Sequence, residues 1–233
     1  MDTEHKEEVV ASEPVRDVEP LAWPVVEVRV KEPLNEREIA NEQKLFSLLS
    51  SEGYLDAGHE PVIHTLYHGR ARTCAEADEN AKGIRGAFTK TLFVRDHGKQ
   101  PHYWIVFTVG SSRVNLRDLR KALGAKRDLR MVDEDILLRR LKVTPGAVTP
   151  LALFNDTEET REEGEQPISL VVDRCFWRDP AYEGLANVHP MHNAASTTMS
   201  IDDIIKFSAD HGHPVSAYID LTTEPLTLEW ADK

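Results

Sequence analysis

Two short apolar runs, residues 91–95 and 103–109, constrain this chain more than any other feature. The segment Asp96-His97-Gly98-Lys99 between them supplies turn residues, so the pair predicts a β-hairpin. Strand-length and helix-length segments alternate around it. Residues 62–67, 151–154, 168–173 and 215–220 read as further strands. A helical period begins near Glu36, where Ile39, Ala40, Leu45, Phe46, Leu48 and Leu49 share one broad face and Gly53 is a suitable stop. Shorter helices are predicted over 74–82 behind Thr73, 116–123 behind Asn115, 136–141 behind Asp133, and onward from Ser200 to 209 with Asp203 at the capping-box position. Short strands in mixed order with helices between them predict an α+β fold: a mixed, barrel-like sheet flanked by helices.

The organisation along the 233 residues follows from where this pattern starts and stops. Residues 1–35 carry Pro14, Pro20, Pro24 and Pro33 among charges and are expected to form a flexible acidic tail, with one short edge strand conceivable over 25–30. The folded domain is expected over 36–221. Residues 222–233 show only Leu226, Leu228 and Trp230 and are expected to be a C-terminal tail. No run of 18 apolar residues is present, and Met1-Asp2-Thr3-Glu4 has no basic or apolar leader pattern. Cys74 and Cys175 cannot build a disulfide framework. A cytoplasmic protein with no membrane partner is therefore expected.

The net charge of −12 argues against non-specific nucleic-acid binding, but it is unevenly spread. Residues 1–20 hold seven acids and two bases, and residues 156–165 hold six acids and one base. Residues 113–142 hold ten bases against five acids. That segment is either a pair of solvated helix faces or a local site for a polyanion.

Three segments carry candidate chemistry. Lys90 heads an apolar strand and points either to solvent or into a cleft. Val143-Thr144-Pro145-Gly146-Ala147-Val148-Thr149-Pro150 is a stiff loop. It is either a rigid connector or a place where backbone N–H groups around Gly146 meet a carbonyl or phosphate oxygen. His189-Pro190-Met191-His192-Asn193 opens a polar stretch before a capped helix. A metal there would need help from His64, His68, His211 or His213, and no HExxH motif or cysteine pair supports one. There is no nucleophile elbow, no phosphate-binding glycine loop and no cofactor signature, so neither metal nor cofactor is expected.

Taken together and in order, these segments resemble the YbaK/prolyl-tRNA-synthetase-associated editing domains, which include the ProX-like deacylases. The resemblance runs from about Leu45 to Asp220. It is carried by His59-Glu60-Pro61-Val62, Thr89-Lys90-Thr91-Leu92-Phe93-Val94-Arg95-Asp96, Val114-Asn115-Leu116 through Lys121-Ala122-Leu123-Gly124, the 143–150 loop with Asn155-Asp156, and His189-Pro190 with Asn193. It implies a deacylase for mischarged tRNA, closest to those that remove alanine from tRNA(Pro). A cysteine-removing deacylase and a non-catalytic tRNA-binding module are the alternatives.

The resemblance also implies roles. Lys90 matches the functional lysine, Gly146 and Pro150 match the Gly-x-x-x-Pro loop, and His189 matches the histidine after the last long loop. Ala147, Val148, Thr149 and Asn193 would line the substrate pocket. The chain departs from relatives at Met191-His192 and Ala194, which bears on side-chain selectivity. Arg117 and Arg120, in the basic segment, are expected to meet acceptor-stem phosphates. The implied partners are the tRNA(Pro) acceptor end and a prolyl-tRNA synthetase, fused or associated.

Overall fold

A computed structural model describes residues 25–56, 58–71, 74–98 and 100–231. The expected N-cap Thr73 and most of the expected N-terminal tail, residues 1–24, lie outside these. Ten strands form one mixed sheet: β1 (Val25–Val28), β2 (His64–Tyr67), β3 (Ala87–Asp96), β4 (Tyr103–Val109), β5 (Leu129–Met131), β6 (Ser169–Asp173), β7 (Leu185–Val188), β8 (Ala195–Ser200), β9 (Val215–Asp220) and β10 (Thr227–Trp230). Their order is β1-β2-β8-β7-β3-β4-β6-β9-β10, with β5 paired to β3 off this path. Among the described residues five α-helices, with short 3₁₀ turns, complete the fold: α1 (Glu36–Ser51), α2 (Cys74–Asn80), α3 (Leu116–Ala122), α4 (Glu134–Arg140) and α5 (Ile201–Asp210). The α+β expectation holds.

The predicted hairpin is the centre of the sheet. Every residue of β4 is buried, because Tyr103, Ile105, Phe107 and Val109 pack into one core while Trp104 and Val106 pack into another. A strand covered on both faces reads as a continuous apolar run rather than an alternating one. The larger core takes Leu45, Phe46 and Leu49 from α1, Ile136 and Leu137 from α4, and Ile204 and Phe207 from α5. The smaller core lies under α3, through Leu119.

Several expectations are corrected. Residues 151–154 do not form a strand; Pro150–Asn155 is a fully buried 3₁₀ helix. Pro150 has no N–H for a ladder, and the Thr149 hydroxyl caps the turn by accepting the Leu151 N–H at 3.4 Å. The C-terminal segment is not a tail throughout, since β10 pairs antiparallel with β9. At the other edge β1 pairs parallel with β2, which is the short edge strand allowed for over 25–30. Lys90 is the fourth residue of β3, not its head. Asp133 sits at the α4 N-cap position, but its carboxylate accepts from Arg95 Nη2 at 2.8 Å instead.

Strand β3 changes partners along its length. It runs parallel to β7 only at Ala87 and Phe88, then antiparallel to β4 from Thr89 to Arg95. The crossing is tight at Gly86, where φ is +87° and an added Cβ would lie 2.7 Å from Leu185 Cβ and 2.9 Å from its carbonyl carbon. Both the left-handed backbone and the contact demand glycine. Gly86→Ala is expected to destabilise the protein by about 1–3 kcal/mol, read as a lower urea midpoint at unchanged slope.

Candidate active site at the 146 and 189–194 loops

The 143–150 loop is pinned at both ends. α4 ends at Arg140 with Leu141 as its C-cap, Lys142 with a φ of 60° turns the chain away, and the Asn41 side chain of α1 donates to the Lys142 carbonyl at 2.7 Å. Val143, Ala147, Thr149 and Pro150 are buried, Val148 is half-buried and Gly146 is exposed. Ala147 N–H closes a turn on the Thr144 carbonyl at 3.0 Å. Among the described residues, no internal acceptor takes the Gly146 or Val148 N–H. Gly146 has φ +86°, and a Cβ on it would stand 3.3 Å from Asn193 Nδ2.

Asn193 belongs to the loop that joins β7 to β8, and so does His189. The structure thus brings the 146 loop directly against the 189–194 loop. His189 Nδ1 lies 3.0 Å from the Ala195 carbonyl, which can only accept, so the ring hydrogen sits on Nδ1 and Nε2 carries the lone pair. Desolvation by burial, with smaller contributions from His68 and His192, pushes the His189 ring down to about 4 against the opposing Ala195 hydrogen bond. His68 backs this loop: its N–H donates to the Ala194 carbonyl at 2.9 Å, and its Nε2 lies 2.9 Å from Ser196 Oγ.

Lys90 approaches from the neighbouring strand. Its ammonium donates to the Ser112 carbonyl, and no described hydrogen bond joins it to the 146 loop or to His189. Register relates them nonetheless. The β3–β7 pairs Ala87↔Ala186 and Phe88↔Asn187 end two residues before Lys90 on one side and two residues before His189 on the other. There the strands part, clasped by Thr89 Oγ1 donating to the Asn187 carbonyl at 2.6 Å. On the other side Lys90 pairs with Thr108, whose hydroxyl donates to buried Asp173 at 2.5 Å. A cleft of about 570 Å³ opens beyond Ser112, lined by Arg113, Cys175, Arg178 and Tyr182 among others, and holds none of the expected site residues. Burial pushes the Cys175 thiol up to about 11, which makes it a poor nucleophile.

The basic segment divides in two. Arg117 is exposed on α3, and Arg120 lines a groove of about 310 Å³ with His97, Lys126, Arg127, Asp128 and Arg130. Arg139 and Arg140 are not available to a polyanion. Arg139 pairs with Glu165 at 2.7 Å, and fully buried Arg140 pairs with Asp156 at 2.5 Å and Glu165 at 3.0 Å. Asp156 and Glu165, from the acidic run 156–165, are thus their internal partners, and Glu165 is held at about 2: burial would raise it, and the Arg139, Glu162 and Tyr103 hydrogen bonds outweigh that.

The profile of the aminoacyl-tRNA editing domain matches residues 68–207. The chain belongs to that family. It is 35% identical over 147 residues to the bovine prolyl-tRNA synthetase associated domain-containing protein 1, covering 63% of this chain and 80% of that one. It is 30% identical over 128 residues to the prolyl-tRNA editing protein ProX of Acetoanaerobium sticklandii, covering 55% and 70%. A crystal structure of a proposed trans-editing enzyme for prolyl tRNA synthetase superposes with a TM-score of 0.52 at 15% identity, over 85% of this chain and all of that one, and shares the fold.

The editing-domain match spans Lys90, Gly146–Pro150, His189 and Asn193, and leaves α1 outside. Among the described residues no helix is long and apolar enough to cross a membrane. Sequence reasoning missed Arg70, Glu38 and Glu42, which hold the 189–194 loop. Their one local signal is Asn35-x-x-Glu38, a capping box that the structure contains; their partners are remote in sequence.

The His189 environment makes a pH prediction. The folded ring takes a proton only near pH 4, the unfolded ring near 6.5. Between those values the unfolded state binds more protons, so stability falls as pH drops from 6.5 to 4 and is unaffected by this group above that window. His189→Gln is expected to flatten the dependence, measured by urea unfolding at several pH values between 4 and 7.

Proposed function

We propose that this editing domain acts in trans as a hydrolase that removes alanine from mischarged tRNA(Pro), in the cytoplasm, after a prolyl-tRNA synthetase has made the error. The observation that carries the reading is the apposition of the exposed Gly146 N–H with Asn193, on the loop that also holds His189, whose Nε2 has no hydrogen bond among the described residues. Family membership and the 30% identity to a prolyl-tRNA editing protein support it. An aminoacyl ester is activated, so three tasks suffice: hold the 3′ end, polarise the carbonyl and position water. Water adds to the ester carbonyl, the bond to the ribose oxygen breaks, that oxygen takes one of the water's protons, and alanine leaves as its carboxylate with the other proton released to solvent. The Gly146 and Val148 N–H groups serve the developing oxyanion. His189 Nε2 accepts from water or from the α-ammonium. Lys90, as a cation, neutralises the terminal phosphate or orients the ribose.

Selection is by size. Ala147 is buried, Val148 half-buried, and the backbone between Pro145 and Pro150 is stiff, so it forms a wall that admits a methyl and refuses a pyrrolidine ring. Arg117 and Arg120, with the adjoining groove, receive acceptor-stem phosphates.

The test is a deacylation panel with Ala-, Cys-, Ser- and Pro-tRNA(Pro), with and without chelator. Alanine should leave fastest, proline should be spared, and chelator should change nothing. Preference for cysteine would transfer the substrate, and no turnover at all would favour a tRNA-binding module. Lys90→Ala should cut kcat/KM at least tenfold, about 1.4 kcal/mol of transition-state stabilisation, with thermal stability nearly unchanged. Charge reversal at Arg117 and Arg120 together should raise KM for tRNA more than it lowers kcat, with a weaker response of KM to salt.

A further inference from the structure

Helix α1 lies outside the residues that match the editing-domain profile, yet it grips the loop that carries His189 and Asn193. Two of its carboxylates, one turn apart, do so. Glu38 is 6% exposed and takes both Arg70 guanidinium nitrogens, Nη1 to Oε1 at 3.0 Å and Nη2 to Oε2 at 2.8 Å. Its other tie is the capping box, where Asn35 N–H donates to Oε2 at 3.0 Å. Burial alone would raise the Glu38 carboxyl; the hydrogen bonds from Arg70 and Asn35 outweigh it and hold the group below the usual range. Glu42 accepts from Tyr67 Oη at 2.8 Å and lies 2.9 Å from His192 Nε2. Ala194 N–H donates to His192 Nδ1 at 3.2 Å, so the ring hydrogen is on Nε2 and points at Glu42.

The consequence falls on Asn193. Arg70 Nη1, already bonded to Glu38, also donates to Asn193 Oδ1 at 2.7 Å. A guanidinium has no acceptor, so the amide cannot turn over: Oδ1 must face Arg70 and Nδ2 must face away from it. Nδ2 has two hydrogens. One is directed at the Ala71 carbonyl at 3.5 Å, and the nitrogen stands 3.3 Å from the place a Gly146 Cβ would take. The neighbouring loop residue Met191 has φ 73°, a conformation that a non-glycine residue keeps only where its surroundings impose it.

We infer that α1 is a positioning element of the editing site, in which Glu38, through Arg70, fixes Asn193 so that its Nδ2–H joins the Gly146 amides as a donor to the ester oxygen. The inference rests on the deacylase reading for the identity of that oxygen; the orientation of Asn193 does not depend on it. Glu38 and Arg70 are positioning residues, and Asn193 is the group that meets substrate. Gly146 has a double reason to be glycine: its φ, and the space that Nδ2 occupies.

The experiment uses the full chain and Ala-tRNA(Pro). Asn193→Ala, Arg70→Ala and the isosteric Glu38→Gln should each lower kcat about tenfold or more while KM for tRNA stays within about twofold. Arg70→Ala combined with Asn193→Ala should lose no more than Asn193→Ala alone, because both act through one donor. Arg70→Lys, which cannot hold Glu38 and Asn193 in the same fork, should recover little. A second readout needs no turnover: the Asn193 side-chain amide protons, identified in ¹⁵N-labelled protein by their loss in Asn193→Ala, should be displaced and slow to exchange. In Glu38→Gln and Arg70→Ala they should move to the solvent-exposed position. Wild-type kcat in those two variants, additive losses in the double variant, or amide signals indifferent to Arg70 would each overturn the inference. Absence of any turnover by the wild type, with the amide signals behaving as described, would overturn the deacylase reading and leave the orienting role standing.

Discussion

The two-residue parallel contact between β3 and β7 is the constraint on which the rest of the molecule depends. At Ala87 and Phe88 the half-sheet built from β1, β2, β8 and β7 meets the half built from β4, β6, β9 and β10. Beyond that contact β3 leaves for β4 and β5, and a seam opens between two strands that have no more backbone bonds to exchange. Lys90 and His189 each follow that contact by two residues, one on either side of the seam. The chain achieves this with one glycine, Gly86, whose missing Cβ lets the two backbones approach within reach of Leu185. A seam of this kind concentrates polar groups without an unpaired sheet edge, because Thr89 and Asn187 tie the diverging ends together.

Charge is handled by separation. An acidic protein that is to bind a polyanion, as proposed above, must keep its free cations from its many carboxylates. Here Asp156 and Glu165, the two ends of the acidic run, turn inward against Arg139 and Arg140, one of which is wholly buried and satisfied by Asp156, Glu165 and the Gln166 carbonyl, while Glu158, Glu159, Glu162 and Glu163 are exposed. Removing a partner from so buried a pair is far costlier than forming it is rewarding, which locks the loop in place. The cations that stay on the surface, Arg117 and the Arg120 groove, belong to α3 and β5, on the opposite face of the sheet from α1, α4 and α5.

The site is held by a third element, α1, through acid–base contacts rather than apolar packing alone. Glu38 and Glu42 reach the 189–194 loop from the N-terminal half of the same helix face that, further along, supplies Leu45, Phe46 and Leu49 to the core. The apolar face fixes where the helix lies, and the two carboxylates then translate that position into side-chain orientation at Asn193 and His192. Such a loop, with no ladder of its own between Val188 and Ala195, takes its shape from these side chains.

Local patterns were enough for whatever is decided by a residue and its near neighbours. The hairpin of β3 and β4, the caps at Asn115 and Ser200, the glycine at 146 and the sequence of motif-bearing segments could all be read from the chain, since turn chemistry, capping and apolar period act over a few residues. The strands β7, β8 and β10 could not: they are short, polar in part, and exist because a partner strand satisfies their backbone. The buried run 151–154 has strand-like composition, and Pro150 with Thr149 turned it into a 3₁₀ helix. The summed charge of residues 113–142 left a pair of solvated helix faces and a local polyanion site both open, and which arginines face outward depends on where Asp156 and Glu165 come to rest. Arg70 and Glu38 carry no signal as a pair, being 32 positions apart, and only the packing of α1 beside the 189–194 loop brings them to Asn193. What the chain determined alone was the set of groups available for chemistry; which of them meet, and which way they point, was decided by long-range strand pairing and by ion pairs between distant segments.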